Sequence, residues 1–196
     1  MGRDGGQLLG HQEGRNLHVS ALRAAGFTLI ELLVALTIAS ILLVLAAPLY
    51  TTWVADNQIS NGAQLVADGL RTAQAEAIKR NMQVQLVLNK TMGTGGWTVQ
   101  MECDGTVLQR GYFSQGADRV IFTVTPAVAT TVTFTGLGQI ATQKCDGTAL
   151  AAPFTDVDST SSLAGTRALR VVVGGGRTGI KLCDPNLPST DPQACP

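Results

Sequence analysis

The feature that most limits how this chain can fold is an apolar run close to its start, Phe27–Pro48. Its length is about the 20 residues that a helix needs to cross a bilayer. The preceding stretch, residues 1–25, is polar and glycine-rich and carries Arg3, Arg15 and Arg23. A basic flank on that side keeps the amino end in the cytoplasm and sends the downstream chain out of it. Glu31 lies near the beginning of the run. A carboxylate in hydrocarbon is costly unless paired, so an ionisable residue there is read first as functional. The plain alternative is an interfacial group that snorkels or takes up a proton. An ordinary secretory signal peptide is a further alternative. The run is long for one, however, it contains an acid, and Ala46-Ala47-Pro48 is a poor cleavage context.

Further along, the pattern becomes that of a folded domain. Ile59, Ala63, Val66, Leu70, Ala73 and Ala77 recur every three or four positions, one apolar stripe on a helix from Asn57 to about Asn81. Asp68, Arg71 and Glu76 fall largely off the stripe, on the solvated face. Gly62 and Gly69 should weaken the helix. This helix is expected to continue from the apolar run as one long element. Downstream, Gln83–Asn89, Trp97–Met101, Arg119–Thr125 and Thr130–Thr135 read as strands, with Gly138–Thr142 a short addition. Arg167–Val173 and Thr178–Leu182 read as a hairpin around Gly174-Gly175-Gly176-Arg177. Thr148–Gly165 has little periodicity and is expected to be a surface loop. The expected fold class is α+β, a long N-terminal helix packed on an antiparallel sheet of about six or seven short strands.

Formal charge is balanced, 14 basic against 14 acidic residues, so the bulk electrostatics give no nucleic-acid footprint. Cys103, Cys145, Cys183 and Cys195 form no CxxC pair, and His11 and His18 lie far upstream, which argues against zinc. An even number of cysteines in an exported domain fits two disulfides. Three pairings are open; Cys103–Cys145 with Cys183–Cys195 is favoured, because the second closes a short loop near the end of the chain. Asp146, Asp156 and Asp158 offer oxygen ligands but lack the spaced loop of a calcium site. There is no HExxH and no P-loop, and Ser114, Ser159, Ser161 and Ser162 lack a nucleophile setting. No enzyme activity, metal or other cofactor is expected.

Gly26-Phe27-Thr28-Leu29-Ile30-Glu31 resembles the processing motif of the type IV pilin and type II secretion pseudopilin superfamily. The resemblance implies a leader peptide over residues 1–26, a transmembrane and assembly helix over 27–56, and a periplasmic α+β domain over 57–196. It implies that a prepilin peptidase cuts between Gly26 and Phe27, that the new amino terminus is methylated, and that Glu31 pairs with the terminal amine of a neighbouring subunit in a fibre. A fixed amine within an apolar bundle would compensate the buried carboxylate. Pro48 removes a backbone hydrogen bond and allows a bend. Leu65–Asn81, the strand after it, Gly96-Trp97-Thr98-Val99, Phe134-Thr135-Gly136-Leu137-Gly138 and the terminal Gly-Arg hairpin resemble more narrowly the minor pilins and pseudopilins that include the FimT, FimU and GspH proteins.

That narrower resemblance implies a single-pass subunit of the bacterial inner membrane. Its implied partners are the prepilin peptidase, other minor pilins or pseudopilins, the major subunit, the assembly platform and membrane lipid. Its role would be pilus assembly, priming or a tip complex. A C-terminal disulfide loop such as Cys183–Cys195 is common on the pilus side, which favours it over the H-type pseudopilin of type II secretion. A DNA-binding minor pilin is another alternative. Relatives of that kind carry Gly-Arg-x-Arg, whereas this chain has Gly176-Arg177-Thr178-Gly179. Arg170, Arg177 and Lys181 then supply three charges, a limited and salt-sensitive phosphate contact. Arg177 as an exposed turn residue is the default. A third class is an anchored periplasmic protein that never enters a fibre.

Overall fold

The structure is a computed structural model and describes residues 27–174 and 179–196. It opens on one helix, α1 (Leu29–Arg80). Thr28 starts the helix: its hydroxyl accepts a hydrogen bond from the Glu31 N–H at 3.3 Å and its carbonyl accepts one from the Leu32 N–H. A side-chain oxygen here satisfies one of the donors that every first helical turn leaves over. Asn81 ends the helix in the left-handed backbone region, at φ 51°. Its N–H bonds to the Ile78 carbonyl and the Met82 N–H to the Ala77 carbonyl, which closes the last turn. The helix runs on through Pro48, whose carbonyl accepts hydrogen bonds from the hydroxyls of Thr51 and Thr52.

The chain divides into two compact units, Met1–Leu42 and Leu43–Pro196. Within the first, every described residue is exposed. Among its described residues the second contains eight strands: β1 (Val84–Asn89), β2 (Gly96–Met101), β3 (Val107–Tyr112), β4 (Ile121–Thr125), β5 (Thr131–Phe134), β6 (Asp156–Thr160), β7 (Leu169–Val173) and β8 (Ile180–Cys183). They form two four-stranded antiparallel sheets, in the orders β3-β2-β1-β5 and β4-β6-β7-β8. Alternation decides which face is covered. Val84, Leu86 and Leu88 are buried on β1, Phe122 and Val124 on β4, and Leu169, Val171 and Val173 on β7.

The apolar stripe of the helix is the centre of this core. Ile59, Ala63, Val66, Leu70, Ala73 and Ala77 have no solvent exposure at all. The two glycines beside the stripe are contact points. A Cβ on Gly69 would stand 2.7 Å from the Trp97 ring of β2, and one on Gly62 would stand 3.0 Å from the Phe122 ring of β4. The helix therefore touches one sheet at Gly69 and the other at Gly62. The helix propensity that glycine forfeits is offset by close approach of an aromatic ring.

The α+β expectation holds, with four differences. There are two sheets rather than one. The Thr148–Gly165 stretch contains β6, and β3 is a further strand that the periodicity does not reveal. Gly138–Thr142 adds no strand: it contributes an isolated bridge from Ile140 to Phe134 and a bond from the Ala141 N–H to the Thr133 carbonyl.

Candidate functional site

Three regions collect the residues that the sequence singles out. The first is the amino-terminal segment. From Phe27 to Leu45 each large apolar side chain is at least 50 % exposed. Glu31, also exposed, sits in the first turn of α1 with its N–H held by Thr28. Among the described residues α1 is long and apolar enough to cross a membrane. An exposed apolar surface of this extent needs a partner or a lipid phase. The structure places Phe27, Glu31 and Pro48 in this segment, while Gly26 lies outside the described residues.

The second region is one face of the sheet β4-β6-β7-β8. Strand register puts Asp158, Arg170 and Cys183 in one row, and Asp156, Val172 and Lys181 in the next. Arg170 donates from Nε to Asp158 at 2.6 Å and from a terminal nitrogen to its other oxygen at 2.9 Å. This two-pronged pair is the strong form of an arginine–carboxylate contact. The hydrogen bond to Asp158, against some burial, raises the Arg170 guanidinium above its already high ordinary value. Lys181 donates to the Ala194 carbonyl at 3.3 Å.

Cys183 is bonded to Cys195, with Cα atoms 5.0 Å apart. The loop that this bond closes also returns to β8 through its backbone. The Asp184 N–H donates to the Gln193 carbonyl at 2.9 Å, and Asp184 bridges to Ala194. Of the three cations named for a phosphate contact, Arg170 and Lys181 lie on this face in adjacent rows. Arg170 is already paired, Asp156 adds a second carboxylate to the same face, and Arg177 lies outside the described residues.

The other disulfide, Cys103–Cys145, brings its Cα atoms to 5.4 Å and ties the turn after β2 to the 141–150 loop. The Glu102 carboxylate accepts the Cys145 N–H at 2.9 Å. Glu102, Cys103 and Cys145 cluster tightly, but both sulfurs are bonded to each other and offer no thiolate to a metal. Asp146 accepts hydrogen bonds from the N–H and hydroxyl of Thr148, which hold its carboxyl below the ordinary carboxylate value. With Asp146 committed to its own turn and Asp158 to Arg170, the three aspartates form no shared oxygen site.

Sequence reasoning missed the Thr28 cap, for which Thr-x-x-Glu was the available signal. It also missed the Asp158–Arg170 pair, which only the strand register reveals. Ser159, fully buried on β6 with no hydrogen-bond partner for its hydroxyl, was equally hidden.

A family model described as type II transport protein GspH matches residues 62–176. The chain belongs to the GspH family. A second model, the prokaryotic N-terminal methylation motif, matches residues 22–47 and so covers the Gly26–Glu31 motif. Among solved structures, this GspH-family chain is similar to the type IV minor pilin FimU of Pseudomonas aeruginosa strain PAO1. The identity is 19 %, the match covers 71 % of this chain and 96 % of that one, and the TM-score is 0.44. No curated protein matches the chain significantly.

Proposed function

We propose that this GspH-family chain is a minor pilin, made as an inner-membrane precursor and later drawn into a fibre or its tip complex. The observation that carries this reading is the exposed apolar helix from Phe27 onward with Glu31 in its first turn. A membrane accepts the apolar side chains but disfavours the carboxylate. A bundle of like helices accepts both, provided a cation meets Glu31. Cleavage between Gly26 and Phe27 would create that cation, since the new amine of one subunit can face Glu31 of the next. The 57–196 domain then lies in the periplasm, and prepilin peptidase, other minor pilins, the major subunit and the assembly platform are the partners.

Intact-mass measurement of the chain expressed with a prepilin peptidase tests this. The expected product begins at Phe27 and carries one methyl group. A chain that still begins before Gly26 would overturn the reading, leaving an anchored protein that enters no fibre. The family's description as a type II transport protein supports a second reading, the H-type pseudopilin of type II secretion. Co-purification separates the two: minor pilins are expected under the first, secretion-channel components under the second.

A further inference from the structure

We infer that a cleft beside Arg119 binds the headgroup of an anionic phospholipid while the chain is anchored in the membrane. The inference rests on the membrane-anchored reading and adds a ligand to it. Leu29–Leu49 supplies the roughly 30 Å of helix that spans a hydrocarbon core. Immediately beyond it, Tyr50 and Trp53 are 65 % and 64 % exposed, with ring centroids 6.2 Å apart. Exposed Tyr and Trp at the end of an apolar span are the side chains that settle at headgroup level.

The next turns of α1 form one wall of a cleft of about 300 Å³, through Thr51, Val54 and Ala55. The opposite wall carries Arg119, Ser161 and Ser162. Every one of these residues belongs to the Leu43–Pro196 unit. Arg119 is exposed and makes no ion pair among the described residues. The nearby carboxylates have other partners: Asp118 accepts from Gln58 at 3.2 Å, and Asp56 accepts the Arg167 N–H at 3.0 Å. A guanidinium and hydroxyls over an aliphatic wall match a phosphodiester joined to a glycerol backbone. Tyr50 and Trp53, on the same turns of α1 as this wall, would set the cleft at headgroup depth and so favour a lipid as the source of that phosphate over a soluble anion.

The chain has two tryptophans, and Trp97 is 6 % exposed in the core, so Trp53 is a built-in reporter of adjacent lipid. The full chain would be reconstituted in phosphatidylcholine vesicles containing a minority of phosphatidylglycerol. One or the other lipid would be brominated near its headgroup, and Trp53 quenching compared. Enrichment of the anionic lipid at Trp53 by about five-fold over its bulk fraction is expected, the effect of one basic residue at an anionic surface. Arg119→Ala should abolish the excess and Arg119→Lys retain part of it. Arg167→Ala removes a cation lining a separate cleft with Ser60 and Gln193, and should leave the excess intact. Equal quenching by both lipids, an excess that survives Arg119→Ala, or an equal loss in Arg167→Ala would overturn the inference. Absence of quenching by either lipid would overturn the membrane reading and this site together.

Discussion

The early and late stretches of α1 solve opposite problems with the same backbone. From Leu29 to Leu49 every side chain is exposed and most are large; from Ile59 to Ala77 the inward ones are mostly small and buried. Alanine and glycine dominate the second set because two sheets must approach closely, as Gly62 beside Phe122 and Gly69 beside Trp97 show. Nothing comparable limits side-chain size in the first set. Bulk marks the stretch made for lipid or for sister helices, and smallness marks the stretch made for its own domain.

The sharpest way to break that comparison is to shorten one leucine in each stretch. Leu70→Ala leaves a cavity in the core and should lower stability by about 3 kcal/mol in denaturant titration of the full chain in detergent. Leu36→Ala should leave that unfolding transition unmoved, its effect confined to partitioning into vesicles. Equal losses would mean that both stretches are core. Next, Gly69→Ala should cost about 1–3 kcal/mol, because the Trp97 ring is also confined by Gly111 and has little room to retreat. Gly62→Ala, facing the tip of the Phe122 ring at 3.0 Å, should be far milder, since better helix propensity offsets about 1 kcal/mol of crowding. Thr28→Ala should cost about 1 kcal/mol, confined to the first turn, with faster amide exchange at Glu31 and an unchanged global midpoint.

The smallest expected effect concerns pH at the far end of the helix. The Arg80 hydrogen bond, aided by Lys79, holds the Glu76 carboxyl below its ordinary value of 4.5. Because its folded value is depressed, Glu76 contributes stability above that ordinary value and loses the contribution as pH falls through the lowered one. Intrinsic-rate-corrected amide exchange over Ala77–Asn81 should therefore rise when pH is taken from 6 to about 3. Glu76→Gln should remove that dependence.

Most of this architecture was legible because most of its elements cover one side only. The stripe on α1 and the alternation on β1, β2, β4 and β7 each carry a periodic record of burial. The exceptions lack that record for identifiable reasons. β3 is an edge strand whose only buried residue is Gly111, so no apolar alternation exists to be read. In β6 the inward positions are Val157 and Ser159, and a buried serine erases the pattern. Gly62 and Gly69 looked like weaknesses because propensity sees the helix alone and not the rings against it. At the candidate site, Glu31 stood out by its chemistry, an acid in an apolar run, whereas the Gly26-Phe27 junction was marked only by resemblance to a known motif. The pairing of Arg170 with Asp158 depends on how two strands align and could not be.

The return of the C-terminal loop onto β8 has a consequence for life among many copies. β8 is the last strand of its sheet, and an open last strand invites another chain to extend it. Here the Asp184 N–H is taken by Gln193, Asp184 bridges to Ala194, and Cys195 fastens the loop covalently to Cys183. Subunits crowded together before assembly would meet at this end a strand whose tip is already engaged. Growth by sheet extension is discouraged there, and under the proposed fibre reading the helices are left as the elements through which copies would join.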